Sequence, residues 1–401
     1  MHRPRDARRH PGGPRSRVPR REGGLSTLST EPEHAVSGAW APGDEQGDRR
    51  FIALFGPEAL ELEAGGRLGP VTVAYESWGT LSPRGDNAVL VLHALTGDSH
   101  AAGPGHPGPG WWSGMIGPGR AIDTDRFYVL CPNVLGGCQG TTGPASLAPD
   151  GRRYGSRFPV LTIRDQVRVE AALADALGIG AWAAVVGGSM GGMRALEWSL
   201  MYPGRVERAV VIAVGASATA EQIALVALQV RAIRSDPHFA GGDYYDQLVG
   251  PAMGLALARG IGQVSYRTAS ELETRFGRLP QGEEQPLKGG RYAVESYLEH
   301  HGEKLLRRFD ANSYVVLSEA MNHHDVGRGR GGVAAALAGV QAATTVIGIT
   351  SDRLYHLSSQ HELARLVPGR PEVQVVRSDV GHDGFLVEVE AMGPLVAAAL
   401  A

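Results

Sequence analysis

Short apolar runs alternate with helical stretches along most of the chain. The runs are rich in Val, Ile, Ala and Leu and have the length of buried strands; they cover residues 71–79, 88–95, 127–134, 182–188, 208–215, 344–350 and 372–378. Between the third and fourth runs, Thr162 and Asp165 have capping-box spacing, and Gly178 follows the last helical residues. This alternation predicts an α/β fold with a mostly parallel sheet and helices on both of its faces.

The pattern changes between residues 216 and 327. Apolar residues recur there at helical spacing from Ile223 onward, and strand-like runs return only at residue 344. We therefore predict a helical lid at 216–327 that is inserted between two parts of one core, at 51–215 and 328–401.

The N-terminal segment differs from the rest of the chain in composition. Its first 21 residues carry eight Arg, four Pro and one Asp with few apolar residues, whereas the whole 401-residue chain has a net charge of -3. Such a segment buries too little apolar surface to fold, so we predict a disordered Arg/Pro/Gly-rich extension over residues 1–50. It also lacks the apolar stretch of a secretory signal.

The two cysteines, Cys131 and Cys138, argue against several classes of chemistry. One pair makes no disulfide framework and its spacing fits no zinc pattern, so we expect a cytoplasmic protein without a metal site. The longest uncharged run, residues 331–350, splits into an Ala-rich half and a β-branched half. It predicts a helix followed by a strand and no membrane span. Because the chain beyond the basic segment is acidic, we expect no nucleic-acid partner.

A serine lies between two glycine pairs at the end of the fourth apolar run. The stretch Gly187-Gly188-Ser189-Met190-Gly191 satisfies the pattern G-x-S-x-G, and a helical pattern follows it. In a nucleophile elbow the chain turns sharply from strand to helix and exposes the serine hydroxyl above the sheet. The alternative is a glycine-rich turn whose serine caps the helix. The flanking strand and helix favour Ser189 as a nucleophile.

A serine nucleophile needs a base and a carboxylate that orients the base. In the α/β-hydrolase fold these follow in the order Ser, Asp, His, in loops after late strands. Asp352 follows the sixth apolar run and His382 follows the seventh, so both have the required order and place. The alternatives are a helix cap for Asp352 and a hydrogen-bonded loop histidine for His382.

Acyl transfer also needs two N–H donors for the oxyanion of its tetrahedral intermediate. One belongs to the residue after the nucleophile, Met190, and the other to a turn after an earlier strand. The stretch 93–99 supplies such a turn, with Leu95 as the candidate donor. His93 and His100 flank the turn and are expected to pack or to form hydrogen bonds there.

From about residue 50 to the C-terminus the chain resembles the homoserine O-acetyltransferases, a family with the α/β-hydrolase fold, and especially their actinobacterial members. The motifs that carry the resemblance include HALTGDSH and GGSMGGMRALEW; they lie at 93–100, 109–119, 133–144, 187–198, 292–314, 325–332, 348–355 and 381–386. The resemblance implies transfer of an acetyl group from acetyl-CoA, as co-substrate, to L-homoserine in methionine biosynthesis, with no bound cofactor. It also implies a homodimer formed through the lid.

Homoserine is a zwitterion, so its site needs a cation for the carboxylate and an anion for the ammonium. By resemblance, Arg259 binds the carboxylate, Asp383 binds the ammonium, and Tyr266 also contacts the substrate. Arginine suits bidentate binding of a carboxylate. Without the resemblance, the simpler interpretation is that Arg259 lies on the surface of a helix and that Asp383 forms hydrogen bonds within a loop. With it, the residues predict ping-pong chemistry through an acetyl-Ser189 intermediate, which the lid protects from water.

The same residues leave other functions open. A homoserine O-succinyltransferase would use this scaffold for a larger, charged acyl group. L-Serine differs from homoserine by one methylene, which a hydrophobic pocket discriminates by only ~1–3 kcal/mol. A serine esterase would use water as the acceptor and would need neither Arg259 nor Asp383. A catalytically idle binding module with a basic arm would need no triad, so Ser189, Asp352 and His382 argue against it.

Overall fold

An eight-stranded sheet forms the centre of the computed structural model, which describes residues 35–104 and 108–401. The strands are, in chain order, β1 (Arg50–Leu54), β2 (Val71–Trp78), β3 (Ala88–Leu92), β4 (Tyr128–Pro132), β5 (Ala184–Gly188), β6 (Arg208–Ile212), β7 (Ala343–Ile349) and β8 (Gln374–Val376). They lie in the order β1-β2-β4-β3-β5-β6-β7-β8, and all neighbours from β4 onward are parallel. β2 is antiparallel to both β1 and β4. The predicted mostly parallel sheet is confirmed.

The apolar pattern missed β1, because the residues of this edge strand are exposed or only partly buried. Every residue of β3 and β5 is buried, which is why these central strands read as continuous apolar runs. Two short ladders lie outside the large sheet; they pair Leu60–Glu61 with Arg67–Leu68 and Ile116–Gly117 with Ile122–Asp123.

Helices cover both faces of the sheet, as predicted. In chain order they are α1 (Ile163–Ala176), α2 (Met190–Met201), α3 (Ala220–Arg234), α4 (Ala252–Tyr266), α5 (Ala269–Phe276), α6 (Ala293–Leu306), α7 (Ala311–Asn322), α8 (Val333–Ala338), α9 (Leu357–Leu366), α10 (Gly384–Val387) and α11 (Val389–Ala399). Short 3-10 turns lie at Gly155–Arg157, Pro203–Arg205, Ala240–Gly242 and Pro286–Lys288. Apolar residues of α1 and α2 join the core on one face of the sheet, and residues of α11 join the core on the other.

The helices α3 to α7 fall within the range predicted for the lid, between β6 and β7. The two ends of this insertion meet at its base, where Ala218 N–H donates to His324 O (2.9 Å) and Val326 N–H donates to Ala216 O (3.0 Å). Within the lid α4 packs against α3 and α6. Buried apolar residues of the lid join the same core as α1 and α2, so the insertion packs continuously onto that face of the sheet.

The prediction of a disordered extension over residues 1–50 is wrong for residues 35–49, where the chain packs against β1. The ring of Trp40 stacks on Phe51 in β1, with centroids 4.9 Å apart. The composition argument applies to the Arg-rich part, whereas apolar residues after position 35 have surface to bury. Residues 1–34 lie outside the described residues.

Both cysteines are buried free thiols, and burial raises the pKa of each. Within residues 35–104 and 108–401 no cluster of His, Cys, Asp and Glu has the arrangement of a metal site, and no helix is long and apolar enough to cross a membrane. The uncharged run at 331–350 forms α8 followed by β7, which confirms the predicted helix and strand.

Candidate active site

β5, Ser189 and α2 form a sharp strand-to-helix turn. The φ of Ser189 is 57°, in the left-handed region that serine rarely adopts, and α2 begins at the next residue. A Cβ on Gly191 would overlap the carbonyl of Leu92 in β3, and a Cβ on Gly187 would overlap the backbone of Gly191. These two glycines let the turn approach β3 closely, as a nucleophile elbow requires.

Ser189, His382 and Asp352 lie in one hydrogen-bonded line. His382 Nε2 is 2.9 Å from Ser189 Oγ, and its Nδ1 is 2.7 Å from Asp352 Oδ2. Because a carboxylate only accepts, Nδ1 carries the proton, which leaves Nε2 to accept from the serine hydroxyl. The other oxygen of Asp352 accepts the N–H groups of Leu354 and Tyr355, both at 2.9 Å. These two hydrogen bonds hold the carboxylate of Asp352 in place, and the carboxylate in turn orients the imidazole of His382.

All three side chains of this line are buried, and their charges act strongly on one another. Burial lowers the pKa of His382, but the charge and hydrogen bond of Asp352, with a further contribution from Asp383, outweigh it and raise the pKa above its ordinary value. A raised pKa makes Nε2 a better proton acceptor, which suits a general base.

The N–H groups of Leu95 and Met190 donate to no acceptor in the part of the chain that the structure describes. Leu95 is buried in the turn after β3, and Met190 is the first residue of α2. The turn itself is closed by a hydrogen bond from Gly97 N–H to Ala94 O, at 2.9 Å. Met190 directly follows the buried nucleophile, and unpaired N–H groups of this kind can bind an oxyanion.

His93 packs beneath this turn and holds its backbone. Its Nε2 accepts the N–H of Val134 at 3.0 Å, so its Nδ1 carries the proton and donates to Ala94 O at 2.8 Å. Burial, together with the charge of Arg194, lowers the pKa of His93 well below its ordinary value. His93 is therefore a neutral hydrogen-bonding residue, as its place in the sequence indicated.

His100, on the far side of the turn, is paired with a carboxylate. Its Nδ1 is 2.8 Å from Glu76 Oε2 and its Nε2 is 2.9 Å from the carbonyl oxygen of Gly108. Both neighbours accept, so both ring nitrogens donate and the ring is an imidazolium. The hydrogen bond to Glu76 is the largest contribution that raises the pKa of His100.

Arg259, in the middle of α4, and Tyr266, its last residue, lie close together. The Arg259 guanidinium is 5.5 Å from the centre of the Tyr266 ring, and this ring lies 5.9 Å from the His382 ring. No carboxylate of the described residues lies within ion-pair distance of Arg259. A partly buried cation without a counter-charge, close to the base, is suited to bind an anionic substrate group.

Asp383 follows the base directly and is already in contact with polar groups of the lid. Its Oδ2 lies 3.2 Å from Arg267 Nε and 3.4 Å from Gln263 Nε2. The distance to Arg267 is that of an ion pair, but its angle is too poor for a hydrogen bond. The carboxylate is therefore oriented while it keeps capacity to accept from an ammonium.

The loop that carries His382 is docked on the C-terminal end of α4. Thr268 Oγ1 donates to Asp379 O at 2.5 Å, and a Cβ on Gly381 would lie 2.5 Å from Tyr266 O. This approach requires glycine at position 381, whose φ is 92°. The base and the lid are thus joined through backbone contacts.

Comparisons with known proteins agree with this geometry. A family model described as the alpha/beta hydrolase fold matches residues 87–389. The homoserine O-acetyltransferase of Thermobifida fusca (strain YX) is 59% identical over 376 residues, which cover 93% of this chain and 99% of the relative. The chain belongs to the homoserine O-acetyltransferase family. It is therefore an acyltransferase with the α/β-hydrolase fold, as the sequence resemblance implied.

Solved structures share this fold across enzymes of two kinds. The homoserine O-acetyltransferase from Bacillus anthracis matches with a TM-score of 0.81 at 28% identity, covering 88% of this chain and 97% of that one. Esterase E22 matches with a TM-score of 0.80 at 29% identity, covering 88% of this chain and 100% of that one. Membership of the homoserine O-acetyltransferase family therefore rests on the closer sequence relative rather than on shape.

The structure brings every predicted site residue of this homoserine O-acetyltransferase family member to one place, and adds others. The Tyr355 ring lies 5.1 Å from the His382 ring, and Gln263 and Arg267 contact Asp383. Tyr355 stands three residues after the triad aspartate, a signal that the sequence contained. Gln263 and Arg267 gave no signal, because their roles depend on how the lid docks.

A cavity beside Leu95 lies between the core and the lid. Its walls are mostly apolar side chains with a few neutral polar ones; they include Leu95, Met193, Leu225, Val226, Met321 and Leu354. Tyr266 and Tyr355, which flank the His382 ring, also line it, so it adjoins the catalytic line. No charged side chain of the described residues lines this cavity.

Proposed function

We propose that this chain transfers an acetyl group from acetyl-CoA to L-homoserine through an acetyl-Ser189 intermediate, as a step of methionine biosynthesis. One observation carries the proposal: the line of Ser189, His382 and Asp352 lies beside an unpaired cation, Arg259, and a carboxylate, Asp383. The name of the T. fusca relative supports the same reaction.

In the first half-reaction Ser189 Oγ attacks the thioester carbonyl while its proton passes to His382 Nε2. The N–H groups of Leu95 and Met190 bind the oxyanion of the tetrahedral intermediate. When the carbon–sulfur bond breaks, the leaving thiolate takes the proton from His382. Free CoA departs, and the acetyl group remains as an ester on Ser189.

In the second half-reaction the hydroxyl of homoserine replaces the thiol. His382 Nε2 removes the hydroxyl proton, and the oxygen attacks the acetyl-ester carbonyl. Collapse of the second tetrahedral intermediate breaks the bond to Ser189 Oγ, which regains a proton from His382. The product is O-acetyl-L-homoserine, and the free enzyme is restored with no cofactor beyond the co-substrate.

Binding of the zwitterion explains why two opposite charges lie beside the base. Arg259 would pair with the substrate carboxylate, and Asp383 would accept from its ammonium. Tyr266 lies between the Arg259 guanidinium and the His382 ring and would contact the carbon chain. The contacts of Arg259 and Asp383 would orient the hydroxyl of homoserine toward the acetyl ester on Ser189. An esterase uses water as the acceptor and would gain nothing from them.

The cavity beside Leu95 favours an acetyl over a succinyl donor. Its apolar and neutral walls accept a methyl group, but a succinyl carboxylate placed there would lose its hydration without gaining a cation. The observation supports the acetyl donor over the sister activity on the same scaffold.

The homodimer, expected through the lid, belongs to the same proposal. Met253, Leu257 and Val264 are exposed apolar residues along α4, and Leu228 is exposed on α3, which packs against α4. Exposed apolar patches are typical of association surfaces. Sedimentation velocity of the native protein and of Leu257→Glu tests it, since the charge would dissociate a lid-mediated dimer.

A cytoplasmic location, expected from the cysteine content, is compatible with the free thiols of Cys131 and Cys138.

Release of CoA thiol tests the reaction. Purified protein is given acetyl-CoA or succinyl-CoA, each with L-homoserine, with L-serine or with no acceptor, alongside Ser189→Ala. We expect release that requires acetyl-CoA, L-homoserine and Ser189. A preference for succinyl-CoA would instead indicate the sister activity, and equal release without acceptor would indicate a hydrolase.

A further inference from the structure

Arg308 connects the lid to the oxyanion turn. It lies between α6 and α7, and its guanidinium Nη1 donates to the carbonyl oxygen of Thr96 at 2.6 Å. The backbone carbonyl of Arg308 accepts from Gln139 Nε2 at 2.7 Å, so the residue is anchored at both ends. The charged guanidinium therefore makes a charge-assisted hydrogen bond to a backbone peptide group.

Two peptide groups continue the line from Arg308 toward the nucleophile. The carbonyl of Thr96 shares its peptide plane with the N–H of Gly97, which donates to Ala94 O at 2.9 Å. The carbonyl of Ala94 shares its plane with the N–H of Leu95. In a planar trans peptide the C=O and N–H point in opposite directions, so fixing the two carbonyls fixes the direction of the Leu95 N–H.

The hydrogen bonds in this line all run in one sense, from donor to acceptor toward Leu95. Each bond polarises the peptide group that makes the next one, and such chains strengthen by roughly 10–30% per bond. A guanidinium charge at the start of the line therefore makes the Leu95 N–H a stronger donor. The other cation at the turn, Arg194, donates to His93 O and stands outside this line.

We propose that Arg308 is a positioning residue of the oxyanion hole, which aims and polarises the Leu95 N–H through the Thr96–Gly97 and Ala94–Leu95 peptide groups. In this role Arg308 acts through the peptide groups and not by contact with the substrate. The inference rests on the proposed function only in giving Leu95 the oxyanion role, and that role would be the same in an esterase. It also makes the oxyanion hole depend on the docked lid.

The test compares p-nitrophenyl acetate with its thiono analogue, in which sulfur replaces the carbonyl oxygen. Sulfur accepts hydrogen bonds weakly, so the ratio of the two kcat/KM values reports on the oxyanion donors and not on folding alone. We expect Arg308→Gln to lower this oxygen-to-sulfur ratio by about tenfold, less than the 10²–10³ loss when an oxyanion donor is removed outright. The KM for the oxygen ester should change little.

Arg308→Lys keeps the charge but loses the planar fork, so its ratio should fall only about threefold. Arg307→Gln, at the exposed neighbouring position, should match the native protein and serves as the control. An unchanged ratio in Arg308→Gln overturns the proposal. If only Arg308→Lys folds by circular dichroism, an unchanged ratio in that variant overturns it.

This experiment stays separate from the test of the proposed function. The ester assay uses neither CoA nor homoserine, and Ser189→Ala defines its background. If thiol release from acetyl-CoA proves independent of homoserine, the acetyltransferase proposal fails while the ester ratio still measures the oxyanion hole.

Discussion

The guanidinium of Arg194 and the carboxylate of Glu170 form an ion pair, 2.7 Å apart, that is sealed in the core behind the nucleophile. Arg194 has 0% of its surface exposed and Glu170 has 3%. Trp198 Nε1 donates to the second oxygen of Glu170 at 2.7 Å, and Arg194 also donates to His93 O. The pair thus joins α1, α2 and the oxyanion turn.

Glu170→Gln leaves the charge of Arg194 buried without its counter-ion. Breaking a buried pair from one side destabilises a protein by about 3–5 kcal/mol, and we expect a loss of that size in the free energy of unfolding in urea. Glu319→Gln, which breaks the exposed pair with Arg234, is the control and should cost less than about 1 kcal/mol. Similar small losses in both variants would contradict the assigned role of the buried pair.

Arg259→Met removes the proposed partner of the homoserine carboxylate. A hydrogen bond to a charged group contributes about 1.5–3 kcal/mol, so the KM for homoserine should rise roughly 10- to 100-fold. The rate at which acetyl-CoA acetylates Ser189 should stay near the native value, since that step needs no homoserine. Arg234→Met, another lid arginine, is the control. A loss confined to the acetylation step would place Arg259 outside the acceptor site.

Asp383→Asn separates two effects of one carboxylate. The charge of Asp383 raises the pKa of His382, so its removal lowers that pKa. Because the base must be neutral to act, the acid limb of kcat/KM for p-nitrophenyl acetate should move to lower pH, while the KM for homoserine rises. Asp379→Asn, an exposed carboxylate of the same loop, provides the control. Identical acid limbs in the two variants would refute the electrostatic effect.

The pair of His100 and Glu76 predicts a pH-dependent stability. The pKa of His100 is raised in the folded state, so its contribution is fully present below the ordinary value, about 6.5, and is lost as pH rises through the raised pKa. The difference in free energy of unfolding between the native protein and His100→Asn should therefore shrink as the pH rises above about 6.5 and through the raised pKa of His100. His238→Asn, at an exposed histidine, provides the control. A constant difference across this range would mean that the folded ring is neutral.

The central strands and the line of Ser189, His382 and Asp352 could be predicted from the sequence for one physical reason. β3 and β5 are buried on both faces, so their burial appears as unbroken apolar runs. Ser189 follows β5, whereas Asp352 and His382 follow β7 and β8, which are only partly buried but still lie in apolar runs of the sequence. The carboxyl ends of these parallel strands meet at one edge of the sheet. Local patterns therefore placed residues that are far apart in the chain.

The arginines around the site were not accessible in this way. Arg194, Arg267 and Arg308 act through contacts with backbone or carboxylate groups more than 20 residues away in the chain, apart from the partner of Arg267 at Glu271. Such contacts depend on how the lid and the helices dock. The docking cannot be predicted from the periodicity of hydrophobic residues or from the spacing of motifs. β1 was missed for a simpler reason, since an edge strand with partly exposed residues has no apolar run.

The docking of α4 on the loop that carries His382 has a consequence for substrate entry. Thr268 Oγ1 donates to the carbonyl of Asp379, and Tyr266 O lies close to the backbone of that loop. From the same lid, Arg308 donates to the oxyanion turn. Swinging the lid away would pull the base and one oxyanion donor out of register with Ser189. In the proposed reaction both substrates would therefore reach Ser189 past a docked lid. An acetyl group on Ser189 would meet bulk water only after the base and one oxyanion donor, which hydrolysis also needs, had moved away.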